Sequence, residues 1–225
     1  MEIRQIVIKA IIVFIVMLEY LSSPIRWCES KLGQMFLYSP YIVEFWNSIT
    51  SLVFCFFALI GYFKYKKYCT DNIPWLLFFS IGITSFLFHS TMSFTGQFLD
   101  EFSIILLLTY CLKIYYNLGS ILYFILTTML SLISWYYPSM SPPILLVSGL
   151  SLILTTYFRK KSKELLSLWK VSIYIGILAI MTWLFDFICI TNTHMYWHII
   201  VSMSVYLLIV FVLKSTNKIT NIELY

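Results

Sequence analysis

Charge is scarce in this sequence. Of 225 residues only 15 are Lys or Arg and 10 are Asp or Glu, 11% in all. A soluble globule carries about 25% to cover its surface. Apolar residues make up 60% and the mean hydropathy is +0.88, so the chain needs lipid as its solvent. This excludes a cytosolic enzyme and a disordered chain. Five cysteines are too few for a secreted disulfide scaffold. Internal repeats, low-complexity runs and a second soluble domain are also missing. The net charge of +5 does not support a nucleic-acid partner, because the cations fall in short loops between apolar segments.

A bilayer core of about 30 Å requires roughly 20 apolar residues in a helix. Seven segments fit: 44–63, 73–92, 98–116, 119–137, 144–158, 170–190 and 194–214. The fifth is short if Pro142-Pro143 opens it, a position in the first helical turn where proline is tolerated. Lys64, Lys66 and Lys67 follow the first segment, Arg159, Lys160, Lys161 and Lys163 the fifth, and Lys214 and Lys218 the seventh. The linkers 93–96, 138–143 and 191–193 carry no Lys or Arg. Cationic loops stay in the cytosol. The first span therefore starts in the lumen of a secretory organelle or at the cell exterior, and the C-terminus is cytosolic.

An eighth apolar stretch occupies 6–21. Arg4 and Lys9 precede its core and Ser22-Ser23 follow it, as in a signal peptide; a retained helix with a cytosolic N-terminus fits equally well. The expectation is an all-α integral membrane protein. Residues 1–22 are a signal peptide or signal-anchor helix, 23–43 a lumenal segment, 44–214 a seven-helix membrane domain and 215–225 a cytosolic tail.

Ionisable groups inside a membrane are costly and mark function. The chain has three histidines. His194 and His198 stand at i and i+4 at the lumenal start of the seventh segment, about 6 Å apart along one helix face. His89 lies near the lumenal end of the second, with Ser85 one turn before it. Asp100 and Glu101 open the third. The orientation rests on Lys and Arg alone, yet it brings all these groups to one depth. A single HxxxH pair is a weak signal; three histidines converging with an acid point to zinc. Catalytic zinc takes three protein ligands, leaves a fourth position for water, and lowers that water's pKa to about 7. Asp100 is placed to accept the proton, and Ser85 to hold the water or the developing oxyanion. Asp186, in the middle of the sixth segment, is expected to pair with a serine, tyrosine or tryptophan for packing, and Glu101 to face the interface. The residues alone stop at metal-assisted hydrolysis of a lipid-soluble substrate.

Four blocks resemble the alkaline ceramidases, seven-span zinc amidases of the superfamily that includes the adiponectin and progestin receptors. They are the segment 23–29 (SPIRWCE), the segment 41–51 (YIVEFWNSITS), the pair formed by Ser85 to His89 (SFLFH) and Gln97 to Glu101 (QFLDE), and the pair formed by Trp183 to Asp186 (WLFD) and His194 to His198 (HMYWH). Together they run from about 22 to 210. The resemblance implies zinc on His89, His194 and His198, proton transfer by Asp100, assistance by Ser85, and hydrolysis of ceramide to sphingosine and a free fatty acid. It implies no nucleic-acid partner, and no protein partner can be read.

The resemblance also implies a calcium site on the Trp27 backbone, Glu29 and Glu44. Here the chain departs from the pattern: Arg26 stands at the expected acidic position, Lys31 replaces an asparagine, and the segment between Glu29 and Glu44 is about four residues longer. Calcium is therefore doubtful, and Arg26 or Lys31 is expected to supply the positive charge to Glu29 and Glu44 as an internal ion pair. Cys28 and Cys189 both lie near the lumenal side, where an oxidising lumen permits a disulfide; the family has a comparable bond, with the spacing around Cys189 one residue off. Cys55, Cys69 and Cys111 read as free thiols. Other readings stay open: a superfamily hydrolase of another lipid amide or ester, or a seven-span lipid receptor with structural zinc. A transporter is disfavoured, since neither inverted repeats nor broken helices are found.

Overall fold

A computed structural model of the chain describes residues 22–35, 37–157 and 162–219. The apolar stretch at 6–21, the cations at 159–161 and the end of the tail lie outside the described residues. Among the described residues a single helical turn, Cys28–Lys31, precedes seven long helices: α1 (Phe45–Tyr65), α2 (Ile73–Thr91), α3 (Phe94–Tyr116), α4 (Ser120–Tyr136), α5 (Ser141–Tyr157), α6 (Lys163–Ile188) and α7 (His194–Ser215). No strand occurs among the described residues, only the isolated bridges Ser22 to Ser93 and Cys69 to Ile219.

Capping chemistry explains two starts that fall earlier than the hydropathy predicts. Ser93 accepts the Gly96 N–H at 3.0 Å and opens α3 at Phe94. Ser162 accepts the Leu165 N–H at 3.3 Å and opens α6 at Lys163. Both are ordinary N-caps. Elsewhere cap and helix are far apart in sequence, and those caps build the site described below.

Helices α1, α2, α3 and α7 form the centre, with α6 against α7 and α4 and α5 against α3. Trp75, Phe78, Ile105, Leu152 and Phe211 are fully buried there. The α1–α2 crossing is close. A Cβ at Gly61 would run into the Trp75 ring, and one at Gly82 would lie 2.8 Å from the Cys55 backbone nitrogen. Small residues at such crossings let helices approach where no water drives their association. Polar side chains add to this contact. Ser172 and Ser204 exchange hydroxyl-to-carbonyl hydrogen bonds of 2.9 Å between α6 and α7, and Thr109 meets Thr127 at 2.9 Å between α3 and α4.

The outer faces are apolar. Ile121 is 79% exposed and Phe124 68%, which suits lipid rather than water. Four helices, α1, α2, α6 and α7, are long and apolar enough to cross a membrane. Ser120–Tyr136 and Pro138–Leu154 meet at 116° and would make a fifth span if taken as one broken crossing. Helix α3, which carries Asp100, Glu101 and Lys113, falls short of that measure, as do α4 and α5 with 17 residues each.

Candidate metal centre

His89 stands in the last turn of α2; His194 opens α7 and His198 follows one turn on. All three are buried, and their ligand nitrogens lie within 4.8 Å of one another, so the set could hold a metal ion.

Two of the rings have their tautomer set by neighbours on α1. Nδ1 of His89 lies 2.7 Å from Glu44 Oε2. A carboxylate can only accept, so this nitrogen carries the proton, and in the neutral ring Nε2 is the atom left for a metal. Nδ1 of His198 lies 3.0 Å from Thr50 Oγ1. The same hydroxyl donates to the Trp46 carbonyl at 2.7 Å, so it receives the imidazole proton, and Nε2 is again free. That Nε2 is sealed from solvent with no hydrogen-bond partner, as is Nδ1 of His194. Burying an unpaired nitrogen costs about 1–3 kcal/mol; a metal ion removes that cost. Outer carboxylate and hydroxyl partners of this kind turn the opposite nitrogen toward a metal. The His194 ring is held by stacking instead, 3.9 Å from the Trp27 ring and 4.9 Å from Trp197 between centroids.

Ser85 stands one turn before His89 on α2, and Asp100 meets it from α3. The Ser85 hydroxyl accepts from Ser51 Oγ at 3.1 Å and lies within hydrogen-bonding reach of the Asp100 carboxyl. Asp100 is half-buried, and its Oδ1 is closed off without a partner.

Residues 19–223 match the Ceramidase family. The chain belongs to the ceramidase family. Human (Homo sapiens) alkaline ceramidase 1 is 29% identical over 214 residues, covering 82% of this chain and 80% of that protein. Mouse (Mus musculus) alkaline ceramidase 1 is 27% identical over 215 residues, covering 82% and 77%. Drosophila melanogaster alkaline ceramidase is 35% identical over 100 residues, 42% of this chain and 34% of its own.

The calcium ligands implied by the ceramidase resemblance already accept hydrogen bonds, Glu44 Oε1 excepted. The Trp27 carbonyl accepts from Ser30 Oγ at 2.9 Å and from the Lys31 N–H at 3.1 Å. Glu29 Oε1 accepts the Trp46 N–H at 2.9 Å; its Oε2 accepts the Asn47 N–H at 2.9 Å and Asn192 Nδ2 at 3.3 Å. Burial pushes the Glu29 carboxyl up, and the two backbone amides pull it back only partly. Glu44 Oε2 is shared by His89 and Asn47 Nδ2, the latter at 3.1 Å. Only Glu44 Oε1, Asn47 Oδ1 and Asn192 Oδ1 remain sealed without partners in this cluster, against the six to eight oxygens calcium takes. The set does not fit calcium.

Three expectations are corrected. Neither Arg26 nor Lys31 forms an ion pair among the described residues; Lys31 Nζ sits 5.9 Å from the Phe187 ring centroid. The positive end of α1 reaches Glu29 first. Asp186 pairs with backbone rather than with a side chain: its Oδ1 accepts the Thr193 and His194 N–H groups at 3.1 and 3.0 Å, and its Oδ2 the Cys28 N–H at 2.9 Å. Glu101 is buried, not interfacial, because Gln97 Nε2 donates to it at 2.7 Å and to the Pro138 carbonyl at 3.1 Å. Cys28 and Cys189 form a disulfide with Cα atoms 5.0 Å apart, while Cys55, Cys69 and Cys111 are buried free thiols. Thr50, Asn47 and Asn192 are site residues the sequence reading misses. Asn47 and Thr50 stand three and six residues after Glu44, on the face that Glu44 directs toward His89.

Proposed function

We propose that the protein is a zinc-dependent amidase that cleaves ceramide to sphingosine and a free fatty acid at the lumenal side of a membrane. The observation that carries this reading is the imidazole set: the Nδ1 protons of His89 and His198 are taken by Glu44 and Thr50, and Nε2 of His198 is sealed and unpartnered. Three neutral nitrogen ligands are the donor set of catalytic zinc. The substrate is inferred from relatives named alkaline ceramidase.

Zinc held there would act as a Lewis acid on the amide carbonyl and make water a nucleophile near neutral pH. The chain's own groups carry the protons. Asp100 accepts the proton as the water oxygen attacks the carbonyl carbon. It returns that proton to the amine nitrogen as the carbon–nitrogen bond breaks. Ser85, supported by the Ser51 hydroxyl, orients Asp100, and once Asp100 carries the proton the single Ser85 O–H is free to turn to the developing oxyanion. An apolar cavity of about 80 Å³, walled by Phe54, Trp197, Ile81 and Leu152 among others, shares two walls with the centre. Phe54 and Trp197 both touch the His198 ring. This suits an aliphatic substrate.

Helices α1 to α7 are read as seven spans. The histidines, Asp100 and the disulfide lie at their lumenal ends, and Lys64, Lys66, Lys67, Lys214 and Lys218 at the cytosolic ends, in a multi-pass protein of the secretory pathway. The test is hydrolysis by purified protein, wild type beside His194→Ala, on ceramides of several acyl lengths and one lipid ester, with zinc measured on both. About one zinc per chain and sphingosine release, both lost in the variant, support the reading. Zinc without ceramide cleavage overturns the substrate: ester cleavage would then mark a related hydrolase, and no cleavage a receptor-like protein.

A further inference from the structure

We propose that this chain closes its N-terminal segment over the metal centre with a hydrogen-bonded carboxylate clasp in place of a divalent cation, so that calcium is not required. The inference concerns Glu29 and its neighbours and does not depend on which lipid is cleaved.

Two buried carboxylates, Glu29 and Glu44, stand close enough to repel one another. Each needs a positive counterpart. For Glu29 that counterpart is the N-terminus of α1, whose orphan N–H groups and dipole favour an anion. Both carboxylate oxygens accept from it, at 2.9 Å from the Trp46 and Asn47 nitrogens. The residue at the N-cap position, Glu44, makes no cap of its own. It is free to turn to Nδ1 of His89. One helix end thus neutralises Glu29 and releases Glu44 to orient a histidine.

The rest of the segment is fixed independently. Cys28 is tied to Cys189 by the disulfide and to Asp186 by its N–H, and the Trp27 ring rests on His194. The exposed cations Arg26 and Lys31 flank the clasp. They would repel an incoming divalent ion and are not themselves engaged by either glutamate.

The test uses the full-length protein in detergent, in calcium buffers from chelated to millimolar, with zinc content checked in each. Calcium binding is read by equilibrium dialysis with radioactive calcium, and stability by thermal melting. The clasp predicts no stoichiometric calcium and an unchanged Tm. Bound calcium near one per chain, with Tm raised by about 5 °C or more, overturns it. Glu29→Gln separates the two cases in chelator. A clasp loses two charge-assisted hydrogen bonds, so Tm falls below wild type. In an empty cation site the same change relieves repulsion between two uncompensated carboxylates, and an unchanged or raised Tm would count against the proposal.

Discussion

Asp186 accepts the backbone N–H of His194 at 3.0 Å, so the residue that opens α7 is both a candidate metal ligand and the anchor of its helix. Thr193, at the N-cap position, makes no side-chain cap. Asp186 does this work from α6 and holds Cys28 with its other oxygen.

Asp186→Ala therefore leaves three amides without their acceptor in a closed region. The expected cost is about 2–4 kcal/mol, together with a lower zinc content, because the first turn of α7 frays. Asp186→Asn keeps an acceptor and should fall between the variant and wild type. Thermal melting with metal analysis checks both; full stability in Asp186→Ala would show that the α7 cap is dispensable.

The Thr50 hydroxyl is tested by Thr50→Val, which keeps shape and removes the acceptor for the His198 proton. Outer partners of metal-bound histidines are worth about 10–100-fold in metal affinity. Zinc should leave the variant faster in a chelator competition by that order, with the fold intact. Thr50→Ser should restore retention. Retention in Thr50→Val with loss in Thr50→Ser would assign the effect to packing of the methyl group and overturn the role of the hydroxyl.

Asp100 contributes no oxygen to the clustered ligand atoms. Asp100→Asn should therefore keep its zinc while the turnover rate falls by about 10²–10⁴-fold, the usual range for a lost general base. Ser85→Ala should cost less, since Ser51 and a water can replace part of its role. Joint loss of zinc and turnover in Asp100→Asn would make Asp100 a ligand rather than a proton carrier.

The helices are legible in the sequence because apolar runs of membrane length alternate with cationic and uncharged loops. Starts shift where a serine caps earlier than the hydropathy rises, as at Ser93 and Ser162. The histidines and Asp100 are legible because so few ionisable groups sit among apolar residues. Their supports are harder to read. Glu29 caps α1 from 17 residues upstream, and Asp186 caps α7 from a neighbouring helix. Neither Glu44 nor Thr193 shows the side-chain cap that local rules look for. Thr50 looks like any other helical threonine until its bond to Trp46 fixes which way the His198 proton points. Arg26 and Lys31 mislead for a related reason. Pairing rules consider side-chain charges and overlook the helix terminus already in contact with Glu29.

Close packing of α1 on α2 sets the distance over which Glu44 addresses His89. Gly82 and Gly61 should respond differently to substitution. At Gly82 an added Cβ meets the Cys55 backbone at 2.8 Å. Backbone cannot rotate away, so Gly82→Ala forces α1 and α2 apart, at about 1–3 kcal/mol. The same displacement stretches the Ser51 to Ser85 hydrogen bond, so turnover should fall with stability. At Gly61 the three atoms nearest the added Cβ all belong to the Trp75 ring, about three helical turns along α1 from Thr50. Gly61→Ala should lower Tm with turnover per folded molecule unchanged, and pairing it with Trp75→Leu should recover part of the Tm. Measuring Tm and turnover on both variants checks the argument. Equal loss of turnover in the two would mean that the α1–α2 spacing near Gly82 does not control the site.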